Sequence, residues 1–383
     1  MKNYEIIIIG CGASGSMCAL HTKCKSVAII DSQTKVAKKI LATGNGRCNL
    51  TNINLEDKNY NTEIKSYLKK FDVNKTLNFF SSLGLETYAD EEGKVYPLSN
   101  SAKSVVDVLS NKIEQKFDLY LGQTVSGIEK QDNNFIVKTD KESFLCKKLV
   151  VCSGGNSLIA PLKKMGVEFK DFYPSLVSLK SNQIKDLNGV KVSNVLVTAT
   201  NSIGNTKSEI GEVLFKDGGL SGIVIFNLST LFSRTQNYVG KIQIDLLPNF
   251  TKEELINKLE NRKKLNVCLD KFFTGMFVPA LSNEILKQAK INTNLNSLKL
   301  NLNQLETLAK AIKNLTYNID GCFENNQVFS GGVDLSLLTD TLMYKDIKNL
   351  YFAGEICNVD GVCGGFNLQW AWTSGYIVGE NLW

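Results

Sequence analysis

The sequence predicts an α/β chain: a Rossmann-like nucleotide-binding domain interrupted by an insert that is first β-rich and then helical. Three observations carry this expectation. An apolar run, a glycine turn and a short helical stretch open the chain. Residues 180–250 then alternate with the two-residue period of strands. After 327, strand-like text returns and closes on a glycine-rich loop and a helix.

Residues 4–9 read as a strand whose four consecutive isoleucines suit burial on both faces of a parallel sheet. Residues 14–22 read as a helix packed on it, and Val27–Asp31 as the second strand of a strand–helix–strand unit. Helical periodicity covers 62–83 and 101–116. The stretch 120–151 alternates as strands (VSGIEK, NFIVKT, FLCKKLVVC) and runs into Ser153-Gly154-Gly155. The insert offers VSNVLVTAT, GEVLF, GIVIFNLS and KIQIDLLP as strands, then polar, Lys/Asn-rich helical text over 251–314. These readings set the domains at 1–179, at 180–325 (β-rich 180–250, helical 251–325) and at 326–383, where the chain re-enters the first sheet.

Composition narrows the function. A chain of 383 residues with 43% apolar and 21% charged residues is ordinary for a soluble globular protein. The net charge is +6, and Arg occurs only at 47, 234 and 262, which is a weak footprint for nucleic-acid binding. One histidine, His21, argues against a His-based metal site or catalytic triad. Ten cysteines without a C-x-x-C pair read as buried free thiols in a reducing compartment. The opening apolar run is too short for a signal core or a membrane span, so a cytoplasmic location is expected.

The motifs are more specific. Gly10-Cys11-Gly12-Ala13-Ser14-Gly15 is a G-x-G-x-x-G between a strand and a helix. There the first glycine turns the chain, the second admits a pyrophosphate, and the third lets helix and strand approach. The phosphates then meet the free N–H groups of the helix start. Asp31 ends the second strand, where a carboxylate can accept from ribose hydroxyls, which favours FAD or NAD over NADP. The run Lys39–Asn52 is too rich in Gly, Asn and Thr for a crossover helix. It reads as an extended loop with exposed donors, suited to a long cofactor, in which Lys39, Thr43, Gly44, Asn45, Gly46, Arg47, Cys48 and Asn49 are candidate contacts. Leu350–Phe352 leads to Gly354 and Glu355, where Glu355 can accept from ribityl hydroxyls. Asp360, Gly364, Gly365, Asn367 and Leu368 then open a last helix whose N-terminus favours negative charge on a flavin ring. This second contact suits FAD and is superfluous for NAD alone. Ser153, Gly154 and Gly155 are expected along the pyrophosphate and ribityl chain, and the Val125 backbone beside adenine.

These stretches resemble the bacterial YhiN/BaiN-like FAD-dependent oxidoreductases, often labelled aminoacetone-oxidase-family FAD-binding enzymes. The likeness rests on TGNGRCNLTN (43–52) and LYFAGEICNVDGVCGGFNLQWA (350–371). Further support comes from GKVYPLSNSAKSVVDVL (93–109), YPSLVSL (173–179), GEVLFKDGGLSG (211–222) and GGVDLS (331–336). It spans nearly the whole chain and implies a glutathione-reductase-type FAD domain with a β-barrel-like plus helical insert. It also implies non-covalent FAD, and either reduction of a conjugated C=C in a steroid-like enone or oxidation of a small amino-ketone. With one dinucleotide fingerprint, NAD(P)H would dock transiently as electron donor. The chain departs from the family pattern at Asn358 (usually Asp), Asp217 (commonly His), Ile223 (usually Pro) and in a shortened 156–167 loop.

No catalytic residue is assigned by sequence. Arg47 and Asn49 are candidates for polarising a substrate. His21, at the helix end away from the phosphate turn, reads as structural, and Cys48 as a small buried thiol. The lysines of 251–313 read as solvated helix faces. The expected partner is a small molecule, without nucleic acid, membrane or metal. The alternatives are a flavin-dependent RNA-modifying enzyme and a non-catalytic FAD-binding protein.

Overall fold

A computed structural model describes residues 1–324 and 328–382, which form two compact units: 1–172 with 328–382, and 173–324. The domain joint expected at 325/326 lies outside the described residues.

The first unit is built on a sheet that starts as the sequence reads. Strand β1 (Lys2–Ile9), helix α1 (Ala13–His21) and strand β2 (Val27–Asp31) follow one another, and Ile6, Ile7, Ile8 and Ile9 are buried. β1 lies between β2 and the strand Ser143–Val151, parallel to both, and Asp118–Leu121 adds beyond β2 in the same sense. The strand Ser143–Val151 serves two neighbours on its far side. Its first half takes the antiparallel hairpin Val125–Gln131/Asn134–Thr139, and its end takes the parallel strand Leu350–Phe352. The register aligns the exits: Ile9 stands opposite Ile30 and Val151, and Val151 opposite Phe352. Four loops therefore leave one carboxyl edge of the sheet, the edge where open α/β sheets bind ligands.

Two helices pack unusually closely on this sheet. A Cβ on Gly375 would run into the carbonyl oxygen of Ser14, and one on Gly379 would come 2.6 Å from that of Cys18. Two glycines one turn apart thus let the C-terminal helix, Phe366–Glu380, lie against the backbone of α1. The helical text of 62–83 resolves into Lys65–Leu68 and Val73–Ser82, and that of 101–116 into Ala102–Glu114.

The second unit carries a seven-stranded antiparallel sheet. Its two outermost strands, Leu315–Ile319 and Gly321–Cys322, are separated in sequence by Asp320 alone. One residue cannot span a flat seven-stranded sheet, so the sheet curls on itself and is barrel-like. One insert reading is corrected. GIVIFNLS is not a strand but the start of the helix Ile223–Ser233, which packs on this sheet. A continuous apolar run carries no period, and only its length tells a buried helix from a buried strand. The helical part holds Lys252–Lys263, Pro279–Gln288 and Leu302–Lys313. Capping boxes start the first of these at Thr251/Glu254 and the last at Asn301/Gln304.

Candidate functional site

At the first exit, Gly10 turns the chain with φ +99°, and a Cβ there would lie 2.5 Å from the Cys152 carbonyl oxygen. A Cβ on Gly15 would overlap the Gly10 carbonyl oxygen, whereas one on Gly12 would meet nothing within 4 Å. Two glycines are thus demanded by packing, and the third faces open space above the helix start. Gly12 caps α1 without a side-chain hydrogen bond, so the N–H groups around Ala13 and Ser14 are available to an anion. Ser14 Oγ donates to the Ala353 carbonyl at 3.2 Å, tying this turn to the Leu350–Phe352 exit.

Asp31 stands at the same edge. Its Oδ2 accepts from Cys11 N–H at 2.6 Å and its Oδ1 from Gln33 N–H at 2.7 Å, so it braces the glycine turn while facing the edge. Gln123 N–H donates to the Asp31 carbonyl at 3.0 Å, which brings the start of the Val125 strand alongside.

The run after β2 differs from the extended loop its composition suggests. Lys38–Gly46 coils into 3₁₀ turns, broken by left-handed Gly44 (φ 57°) and Asn45 (φ 56°). Thr43 Oγ1 donates to the Ile40 carbonyl at 2.7 Å inside this coil. Gly46 and Cys48 are left-handed as well. Local i→i+3 bonds satisfy the backbone here, which composition could not reveal. Arg47 is exposed and sits over Tyr96, its Cζ 4.4 Å from the ring centroid, with Nη2 donating to Tyr96 Oη at 3.4 Å. Cys48 is buried, and burial pushes its thiol up to about 12. It is therefore a thiol near neutrality and poorly suited to redox exchange. Asn49 is buried too, and its Oδ1 has no hydrogen-bond partner.

The Ser153-Gly154-Gly155 exit has both glycines at positive φ. Glu355 Oε2 and Lys39 Nζ flank Gly154 from two other exits, 3.0 and 3.5 Å from where its Cβ would stand. Burial raises the Glu355 carboxyl, against the nearby Lys39 ammonium and the Phe329 N–H that donates to Oε1 at 2.9 Å. Ser153 Oγ is a second buried polar atom without a partner.

The last loop is held from several sides. Asp360 is buried, with Oδ1 accepting from Ser330 Oγ at 3.0 Å and its N–H donating to Asn61 Oδ1 at 3.0 Å. Asn52 Nδ2 donates to the Gly364 carbonyl at 3.0 Å. The Asn367 side chain is spent on Gly361, accepting from its N–H at 2.8 Å and donating to its carbonyl at 2.9 Å. The start of the C-terminal helix, from Gly365 past Leu368, has no side-chain cap.

Several structural partners were not singled out from sequence. Gln369 accepts from Thr51 Oγ1 at 2.6 Å and Thr76 Oγ1 at 3.0 Å, and donates to the Phe71 carbonyl at 3.1 Å. Trp370 Nε1 donates to the Gly354 carbonyl at 3.1 Å, and Gly354 N–H to Ser374 Oγ at 2.9 Å. Trp372 Nε1 reaches the Leu50 carbonyl at 2.9 Å. Their place in one helix was legible, but no signal in the sequence pointed to their partners, most of which lie hundreds of residues away. His21 is structural: its Nδ1 lies 2.9 Å from the Met17 carbonyl, its ring packs on Phe79 and Tyr376, and burial lowers its basicity. Among the described residues no two cysteines form a disulfide. Among the described residues no cluster of three His, Cys, Asp or Glu could hold a metal, and no helix is long and apolar enough to cross a membrane.

Fold and site together define a dinucleotide-binding flavoprotein. A glycine turn, an uncapped helix start, a second glycine exit with a carboxylate and an ammonium, and two orphaned buried polar atoms fit a ligand as long as FAD. An orphan of this kind costs about 1–3 kcal/mol when nothing fills it. Over residues 4–381 the chain matches the family described as HI0933-like protein Rossmann domain, and it belongs to that family. It is a FAD-dependent oxidoreductase. It is 33% identical to the 3-dehydro-bile acid delta(4,6)-reductase of Clostridium scindens, covering 98% of both chains. It is 27% identical to the ribosomal RNA dihydrouridine synthase of Haemophilus influenzae, covering 100% of this chain and 99% of that one. Among solved structures, the 3-ketosteroid delta1-dehydrogenase of Sterolibacterium denitrificans shares the fold. Its TM-score is 0.50 at 10% identity, over 100% of this chain and 99% of that one.

Proposed function

We propose that this chain saturates a carbon–carbon double bond conjugated to a carbonyl in a small organic substrate, with NAD(P)H as the transient electron donor. The observation that carries this reading is the full-length likeness to a reductase named for double bonds of a 3-oxo bile acid. The synthase relative is named for dihydrouridine, which is uridine with its ring double bond saturated, so both names describe one class of reaction. The dehydrogenase contributes the fold alone.

FAD, when bound, supplies the hydride chemistry. The chain's residues bind and orient it. The N–H groups at the start of α1 receive the pyrophosphate, Asp31 and the Val125 segment take the adenosine end, and Lys39 and Glu355 face the ribityl chain across Gly154. Arg47, exposed and braced on Tyr96, suits polarisation of a substrate carbonyl or carboxylate. The only histidine is half-buried against the aromatic rings of Phe79 and Tyr376, so the proton comes from water, a tyrosine or a lysine.

A second reading, ribosomal RNA as substrate, is favoured by the names of the Haemophilus relative and of a 28% identical Escherichia coli relative. Two cations of the Lys-rich segment are already engaged within the protein. Arg262 holds the Phe272 and Thr274 carbonyls, and Lys313 pairs with Asp245 at 2.6 Å.

The test is anaerobic. FAD-loaded protein is bleached with NADH or NADPH and then mixed with a conjugated 3-oxo steroid. Return of the flavin absorbance, with a product two hydrogens heavier, supports the proposal. Flavin that stays bleached with the steroid and recovers its absorbance only when air is admitted opposes it. Dihydrouridine formed in ribosomal RNA under the same conditions, with a steep salt dependence of binding, selects the second reading.

A further inference from the structure

Asn49 carries the strongest unused signal in the molecule. The residue is 9% exposed, and its Oδ1 is buried without a hydrogen-bond partner. Two backbones crowd around this residue. A Cβ on Gly365 would come 2.8 Å from Asn49 Oδ1 and 2.5 Å from the Thr51 carbonyl oxygen, and a Cβ on Gly44 would come 2.7 Å from the Asn49 nitrogen. The amide oxygen therefore sits beside Gly365, the N-cap of the C-terminal helix, which has no side-chain cap.

The juxtaposition is chemically specific. An acceptor lacking a donor stands next to helix N–H groups lacking acceptors. A ligand edge that satisfies both must offer an N–H flanked by a carbonyl. The pyrimidine edge of a flavin does so, with N3–H between the C2 and C4 carbonyls. We propose that Asn49 Oδ1 accepts the N3–H of the flavin ring, while the first N–H groups of the C-terminal helix face the adjacent C2 carbonyl. This rests on the reading that the chain binds FAD. It makes Asn49 a ring-positioning residue rather than a group that polarises substrate.

The test compares FAD with N3-methyl-FAD, whose ring cannot donate from N3. Dissociation constants are read by flavin fluorescence on the full chain and on the N49A and N49D variants. The wild type should bind N3-methyl-FAD about tenfold or more weakly than FAD. N49A should bind both alike, with FAD about tenfold weaker than in the wild type. N49D, which keeps an acceptor, should retain the discrimination. In isotope-labelled FAD, the N3 resonance should move on going from wild type to N49A. Equal binding of the two cofactors by the wild type overturns the proposal, and this needs no variant to fold. Undiminished discrimination in well-folded N49A also overturns it. Failure of the wild type to bind FAD at all is a different result, and it defeats the cofactor reading itself.

Discussion

At Gly15 a methyl group would overlap the Gly10 carbonyl oxygen, whereas at Gly12 it would meet nothing within 4 Å. Substitution should separate the two roles. Gly15→Val should lower the thermal midpoint and abolish FAD binding together. Gly12→Val should leave the midpoint of the cofactor-free protein nearly unchanged and still block FAD, as read by parallel thermal melts and flavin titrations. A second residue-scale test concerns thiols. Cys268 is exposed and Cys48 fully buried, with its thiol pushed up to about 12. Brief treatment of the native protein with a maleimide, followed by peptide mass spectrometry, should label Cys268 and spare Cys48 until the chain is unfolded. Labelling of native Cys48 would show that this loop opens. A third concerns charge. The Lys170 ammonium, 2.5 Å from Asp334, is the main reason its carboxyl titrates at about 2, and the Ser336 N–H adds to it. Because the folded value lies below the ordinary carboxylate value of about 3.9, the stabilisation is complete above that value. It is lost as pH falls through it toward 2. The lysine is exposed and the aspartate partly so, which keeps the worth of the pair to no more than about 1 kcal/mol. Lys170→Met should raise the Asp334 midpoint in an NMR titration.

At the scale of elements, the C-terminal helix ties the first unit together. Gln369 bonds to Thr51, Thr76 and Phe71, while Trp370 and Ser374 hold Gly354. Gln369→Leu would leave buried hydroxyls and a carbonyl short of partners. It should cost about 3 kcal/mol of stability, read as a fall in the thermal midpoint. An unchanged midpoint would show that the network relaxes around the loss. Elements also mark the limit of what the sequence discloses. β1, the glycine turn, α1 and β2 are legible because every requirement is met within about thirty residues. Gln369 and Asn367 sit in a readable motif, yet only the fold shows that Gln369 meets Thr51 and that Asn367 turns back to Gly361. The helix Ile223–Ser233 is hidden in the sequence for another reason: a nearly continuous apolar run has no period. The coil Lys38–Gly46 is hidden because consecutive left-handed residues leave no compositional trace beyond Gly and Asn.

For the whole molecule, aligned strand exits decide the function. Ile9, Val151 and Phe352 end in register, so 10–15, 152–155 and 353–355 arrive together although hundreds of residues separate them. Sequence identified each segment singly and could not place Lys39 and Glu355 on either side of Gly154. FAD occupying this edge is the central requirement. The direct measurement is the absorption spectrum of protein purified natively and then reconstituted, with the released cofactor identified after denaturation. One FAD per chain, bound non-covalently and lost in Gly12→Val, is the result predicted. A colourless protein that takes up no FAD on reconstitution would contradict it.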